Sequence, residues 1–188
     1  MQDENLTWEE ISTEHIVQDQ WIDFRRTAYR FPDGRIFQPY YSFTRRDYAV
    51  VVASDEEGRF LCVRQFRQGI RRVTTEFPAG AIEKKDGEQP EEAALRGAQR
   101  ELREETGYVS DSWRHLLTIP SSATISDNYA YLFAAENCRK AAGQELDEME
   151  LIRVVKHTAE ELDEMVAGGG FEQSVHALAW LLAKGKKA

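Results

Sequence analysis

The sequence predicts an α+β domain built in layers, with a mixed sheet held between helices and a small antiparallel β segment in front of it. Three observations carry the prediction. Runs rich in β-branched and aromatic residues fill the N-terminal part and return after residue 113; one long helical stretch lies between them; two further helical stretches close the chain. A helical bundle would lack the strand runs, and a β-sandwich would lack the helices. At 188 residues the chain can bury a core without disulfide or metal staples.

The elements follow in order. Trp21–Phe31 and Arg35–Phe43 flank Pro32-Asp33-Gly34, a hairpin signal between aromatic-rich runs. Residues 1–45 are therefore assigned to an N-terminal β segment and residues 46–188 to the main domain. Tyr48–Ser54 and Arg59–Arg67, separated by Asp55-Glu56-Glu57-Gly58, read as core strands, and Val73–Phe77 adds a short one. Ala79–Gln89 reads as a loop. Beyond it, Pro90 suits the start of a helix and Gly107 its end. Gly97 inside that helix costs roughly 1 kcal/mol relative to Ala, which signals close backbone packing or a broken first turn. Arg114–Ile119, Tyr129–Glu136 and Met149–His157 read as strands. Thr158 and Glu161 have the spacing of a capping box opening a helix over Ala159–Gly168, and Glu172–Lys184 forms the last helix.

Composition excludes several classes of function. Cys62 and Cys138 are far apart and form no CxxC pair, so neither a zinc site nor a disulfide framework is expected, and a reducing compartment fits. The first ten residues are polar and acidic, and no apolar run approaches the roughly 18 residues needed to span a bilayer. A cytoplasmic protein without a membrane partner is expected. A net charge of -9 disfavours binding to extended nucleic acid. An anionic ligand would need local cations, from Arg64, Arg67, Arg71 and Arg72 or from divalent ions held by carboxylates.

The informative segment is Arg100-Glu101-Leu102-Arg103-Glu104-Glu105-Thr106-Gly107. On a helix Glu101, Glu104 and Glu105 share one face. An ordinary surface helix would give each acid a base at helical spacing. Glu104 has one, Arg100, four residues before it. Glu101 has none among Gly97, Ala98, Glu104 and Glu105, and Glu105 has none among Glu101, Leu102, Tyr108 and Val109. Such a like-charge pair costs roughly 0.2–0.5 kcal/mol, and the helix C-terminus disfavours each anion by a further ~0.3–1 kcal/mol. A missing cation resolves the conflict, and magnesium suits carboxylate oxygens combined with substrate phosphates.

The same segment resembles the signature of the Nudix hydrolases. Glu92 lies eight residues before Arg100, where that pattern places its earlier glutamate, although Glu88 after Gly87 competes for the role. Glu76-Phe77-Pro78-Ala79-Gly80 resembles the strand and turn that open the motif. The loop from Gly80 to Glu92 is about six residues longer than the family spacing. Val63-Arg64-Gln65-Phe66-Arg67 is similar to the ADP-ribose and ADP-sugar pyrophosphatase branch, as is Asp147–Ile152, which resembles that branch's acidic loop carrying an additional catalytic glutamate. One mismatch stands downstream: Ala123-Thr124-Ile125-Ser126-Asp127-Asn128 occupies the place of a Pro-Gly pair followed by an acid.

The resemblance implies an α/β/α layered fold and Mg2+-dependent hydrolysis of a diphosphate linkage, with Mn2+ as an alternative ion. The best substrate is ADP-ribose, cleaved to AMP and ribose 5-phosphate; another nucleoside diphosphate derivative or a nucleoside triphosphate is the alternative. It further implies Glu101, Glu104, Glu105 and the Ala79 carbonyl as metal ligands, Arg100 orienting the cluster, Glu148 or Glu150 as base, and a homodimer to which the N-terminal segment contributes. Arg67 is the first candidate for a phosphate contact because a guanidinium grips oxygens in pairs. Arg64 is the second, with strand alternation against it unless a bulge intervenes. Glu76, beside the same motif, is a further substrate-binding candidate, and Phe37, Tyr40 and Tyr41 offer flat surfaces for a base or sugar. His157 and His176 read as structural. A non-catalytic nucleotide-sugar sensor is the reading of another class, and the unpaired acids argue against it.

Overall fold

The computed structural model describes residues 5–185. The first four residues of the 1–45 segment, which open the polar N-terminus, and the last three of the 46–188 domain lie outside the described residues. Two compact units emerge, one running to Arg46 and including Pro120–Tyr129, the other made of Asp47–Ile119 and the chain from Ala130 onward.

In the first unit β1 (Glu9–Gln18), β2 (Asp23–Arg30) and β3 (Ile36–Thr44) form an antiparallel sheet in that order. The β2–β3 hairpin turns at Pro32–Gly34 as expected, closed by Phe31 N–H to the Arg35 carbonyl at 2.8 Å. Strand β1 was not expected. Its sequence is mostly polar and its side chains are mostly exposed; the backbone ladder to β2 holds it, and the exposed pairs Arg26 Nε to Glu14 Oε2 at 2.8 Å and Arg30 Nη1 to Glu9 Oε2 at 2.7 Å add little. Trp8 packs on Phe31 with ring centroids 4.4 Å apart and meets Tyr29 and Tyr40 edge-on. The segment Pro120–Tyr129 returns to this sheet, with Phe43 N–H donating to the Ile125 carbonyl at 2.9 Å and Thr44 Oγ1 to Asp127 Oδ2 at 2.6 Å.

The second unit contains β4 (Tyr48–Asp55), β5 (Phe60–Arg67), β6 (Arg72–Glu76), β7 (Ala79–Ala81), α1 (Pro90–Thr106), β8 (Tyr108–Val109), β9 (Ser112–Pro120), β10 (Tyr129–Lys140), β11 (Arg153–His157), α2 (Ala159–Ala167) and α3 (Ser174–Gly185). Its sheet runs β11-β5-β4-β10-β8, with β6 on β5, β7 on β4 and β9 on β10. Strands β4 and β10 are parallel while β5 pairs antiparallel with β4, β6 and β11, so the sheet is mixed.

Alternation along β4 explains the layers. Val50 and Val52 join Cys62, Leu162 and Trp180 under α2 and α3, while Ala49, Val51 and Ala53 join Leu61, Ala98 and Leu102 under α1. With both faces covered, β4 is buried along most of its length. This is the expected α/β/α arrangement. Among the described residues no helix is long and apolar enough to cross a membrane.

Helix α1 spans the expected residues without a break. It ends where Gly107 adopts a left-handed φ of 72° and donates to the Arg103 carbonyl at 2.7 Å. Two expectations change. The stretch read as a loop contains β7 and a 3-10 turn over Lys84–Asp86, too short to leave a periodic signal, and the strand expected over Met149–His157 begins only at Arg153.

The α2 capping box is complete: Glu161 N–H donates to Thr158 Oγ1 at 3.1 Å and Thr158 N–H to Glu161 Oε2 at 2.8 Å. Thr158→Ala is expected to cost about 1 kcal/mol, lowering Tm by about 2–4 °C for a protein of this size; a thermal melt checks it.

Candidate active site

Strand β7 and helix α1 bring the acids of the Arg100–Gly107 segment against a backbone that leaves them little room. Gly80 pairs with Ala49 on β4, and a Cβ built on it would lie 2.1 Å from the Glu101 carboxyl carbon. Only a glycine lets that carboxylate settle against the strand. Beside it Ala79 N–H donates to Glu105 Oε2 at 2.9 Å. Glu101 and Glu105 are both buried, an unusual state for carboxylates.

Arg100 organises the rest. Its Nε and Nη2 grip Asp86 at 3.1 and 3.0 Å, Nη2 also donates to the Ala81 carbonyl at 2.8 Å, and Nη1 reaches Glu101 at 2.7 Å and Glu104 at 2.9 Å. All five guanidinium N–H groups are thereby used. This corrects the expectation that Glu101 has no cation, because a long side chain can fold back onto its chain neighbour. It also changes the view of the earlier acid. Glu88 is exposed, and Glu92 is an exposed partner of Arg96 at 3.5 Å; the acid that holds Arg100 is Asp86. A signal was present in the sequence, since Glu83 and Asp86 have capping-box spacing and close one around the 3-10 turn. Gly97 packs against Asp86, so its close-packing explanation is the correct one.

The charges remain unbalanced. Burial and the neighbouring Glu104 and Glu150 raise the Glu101 carboxyl to about 7 despite Arg100. Burial, followed by repulsion from Glu101, raises Glu105 well above the usual carboxylate range, with Glu150 adding to it. Glu150 thus acts electrostatically on both buried acids. Glu148 lies exposed in the same loop.

Arg67 on β5 is half-buried, and the charge of Glu105 reaches it. Its Nε and Nη2 are taken by Glu76 at 2.8 and 2.5 Å; Nη1 makes no hydrogen bond among the described residues. Glu76 is completely buried. Burial opposes its charge, but Arg67 and the Thr74 hydroxyl outweigh that and hold it below the usual carboxylate range. His176 lies under this pair, accepting from Phe77 N–H through Nδ1 at 3.2 Å, and burial pulls it down to about 4, so it is neutral and structural.

Strand β5 runs in unbroken register against β6, so Arg64 faces away from Arg67. It stands exposed opposite Arg153. Phe37 and Tyr40 belong to the aromatic cluster of the first unit, where Tyr40 donates its hydroxyl to the Thr124 carbonyl.

The end of α1 is capped by the chain leaving β10. Lys140 Nζ donates to the Thr106 carbonyl at 2.7 Å, Glu145 N–H to Glu104 at 2.9 Å, and Ala141 N–H to Gly107 at 2.9 Å. The Gln144 amide donates to the Glu105 carbonyl at 2.7 Å. A cation and these donors offset the helix dipole where the acids are crowded.

Residues 44–181 match the family model described as the NUDIX domain. The chain belongs to the Nudix family. Its similarity to an ADP-ribose pyrophosphatase of Bacillus subtilis (strain 168) is 33% identity over 158 residues, 83% of this chain and 81% of that protein. A methanol dehydrogenase activator of Bacillus methanolicus is 32% identical over 155 residues, 80% of this chain and 78% of that protein. A solved structure described as an ADP compounds hydrolase superposes with a TM-score of 0.81 at 18% identity, covering 97% of this chain and 95% of that one, which shows the shared fold.

Nudix hydrolases use divalent metal ions, and the acids of this Nudix chain fit one. Two buried carboxylates with raised proton affinity, one lodged beside Gly80, form a hard oxygen donor set whose charge Arg100 balances only in part. Among the described residues no three acidic, His or Cys side chains form a ready-made cage. Glu104 and Glu101 instead share the Arg100 Nη1.

The burden of charge should be visible in stability. The folded pKa of Glu101 lies above its ordinary 4.5, so the stability tied to it is complete below about pH 4.5 and is lost as pH rises through about 7. With a chelator present, Glu101→Gln is expected to match the wild type in urea denaturation at the acid end and to exceed it above about pH 7. A gap of opposite sign would contradict the assignment.

Proposed function

We propose that this Nudix pyrophosphohydrolase cleaves the diphosphate linkage of ADP-ribose, giving AMP and ribose 5-phosphate, with Mg2+ bound at Glu101 and Glu105. Glu104 and the Ala79 carbonyl assist, and Mn2+ can replace Mg2+. The observation that carries this reading is the buried Glu101–Glu105 pair lodged against Ala79 and Gly80, with Glu150 acting on both acids and Arg67 on Glu105. The names of the relatives support the substrate class: a small nucleotide sugar, not a nucleic acid or a membrane. The N-terminal sheet exposes Trp21, Ile36 and Phe37, which supports a homodimer built through it. A cytoplasmic location is consistent with two buried, reduced cysteines.

A divalent cation at the acids would neutralise the diphosphate oxygens and acidify a water. The chain's own residues do the rest. Arg67 offers Nη1 to a phosphate oxygen, and Glu76 fixes the guanidinium plane through its paired bonds. Arg64 faces the opposite side of β5 and contributes at most at long range. Arg100 holds Glu101 and Glu104 to the loop at Asp86. Glu150 takes the proton of the attacking water; its Oε2 now accepts from Asp147 N–H at 3.0 Å, a bond it exchanges for that proton. Water oxygen bonds to one phosphorus, the bridging P–O bond breaks, and the leaving phosphate carries the electron pair. Glu148 is the alternative base.

A screen of ADP-ribose, other nucleoside diphosphate sugars, dinucleotides and nucleoside triphosphates, with product masses and with or without Mg2+, tests the reading. AMP with ribose 5-phosphate is expected; turnover confined to triphosphates would replace the substrate, and binding without turnover would indicate a sensor. Glu105→Gln is expected to abolish Mg2+-dependent turnover while leaving the metal-free fold as stable or more so, and retained turnover would remove Glu105 from the ligand set. Arg67→Ala is expected to raise KM and also to destabilise by about 3–5 kcal/mol, because Glu76 is left buried and unpaired. Adding Glu76→Gln should restore stability but not KM.

A further inference from the structure

We infer that Gln144 is a positioning residue, a clasp that holds the β10–β11 loop so that Glu150 stays against the buried acids of α1. The inference rests on the reading of Glu150 as the base. The loop has little apolar burial to hold it: Met149 is 94% exposed and Leu151 87%. It is also acidic. Glu145, Asp147, Glu148 and Glu150 lie within it, and Glu150 repels Glu101 and Glu105. Electrostatics therefore drives this arm away from the helix it faces.

Hydrogen bonds oppose that drive, and Gln144 supplies the bond that joins both ends of the arm. Its Nε2 donates to the Glu105 carbonyl at 2.7 Å and to the Ile152 carbonyl at 3.3 Å. A primary amide nitrogen carries two N–H groups, so each has its own acceptor. One acceptor belongs to the residue whose carboxylate lies at the centre of the site. The other belongs to buried Ile152, the last residue before β11. The arm from Glu145 to Leu151 is thus closed at its base, with Glu145 N–H tied to the Glu104 carbonyl at 2.9 Å. Within the arm, Asp147 and Glu150 bond each other at 2.9 and 3.0 Å. The Arg103–Glu145 pair at 3.2 Å is exposed on both sides and contributes little. A neutral donor suits this task, since it links two carbonyls without cancelling the negative charge that a metal ion would need.

Gln144→Glu keeps the shape, removes both donors and sets a carboxylate against two carbonyl oxygens; Gln144→Ala removes the clasp. With ADP-ribose and Mg2+, both are expected to lower kcat by about 10- to 100-fold, the scale of a misplaced catalytic group, with KM changed less than about twofold. The same variants should speed hydrogen exchange of the 145–151 amides while the body of α1 keeps its protection and Tm falls by only the few degrees, about 2–4 °C, that one lost hydrogen bond costs. In a Glu150→Gln background, Gln144→Ala should cause no further loss, because a residue acting through Glu150 has nothing left to position. Unchanged kcat, unchanged loop exchange or fully additive losses would each overturn the inference. If the wild type turns over no diphosphate substrate, the proposed function fails by itself, and the exchange data still decide whether Gln144 holds the loop.

Discussion

A positive charge shared among buried and half-buried negative ones is the constraint on which the rest of this structure depends. Arg100 spends all five of its N–H groups on Asp86, Glu101, Glu104 and the Ala81 carbonyl, fastening the loop after β7 to the middle of α1. The geometry is specific, since a lysine has neither the fork nor the reach to serve three carboxylates at once. Around that centre the chain places what the arrangement needs: Gly80 gives Glu101 room, Gly97 lets Asp86 approach the helix, and the α1 faces of β4 and β5 bury the helix's apolar side.

Arg100 does not complete the balance. One guanidinium shared among three acids leaves Glu105 with a backbone N–H and the distant field of Arg67. The contrast with Glu76 is instructive. Glu76 is also buried, yet two bonds from Arg67 and one from Thr74 keep it ionised. A carboxylate with its own cation is a structural part; one without is a vacancy for charge, and the two sit on either side of Arg67. The same arginine therefore holds one carboxylate by paired hydrogen bonds and acts on the other only through its charge.

Much of this was legible in the sequence, for identifiable reasons. Helix α1, its Gly107 stop and the Thr158–Glu161 box are local patterns with strong rules, and they appear as expected. The face shared by Glu101, Glu104 and Glu105 follows from helical spacing alone. What escaped depends on contacts between distant parts of the chain. Asp86 is found only when the long loop folds back on the helix, and Glu92, chosen by spacing, turns instead to Arg96. Strand β1 carries no clear apolar alternation because its side chains stay largely exposed and its backbone pairing with β2 leaves no mark in the pattern. The capping of α1 by Lys140, Gln144 and Glu145 leaves no trace in composition, since these are ordinary surface residues whose role arises from where β10 ends.

The parallel pairing of β4 with β10 has a consequence for how the molecule comes into being. Tyr48 through Ala53 cannot meet Ala130 through Ala135 until everything between them, including the acid-bearing helix, has left the ribosome, and such long-range closure is slow. The acids of α1 do not depend on that closure in the same way: the backbone that buries them, Ala79 and Gly80 on β7 beside β4, precedes the helix in the chain.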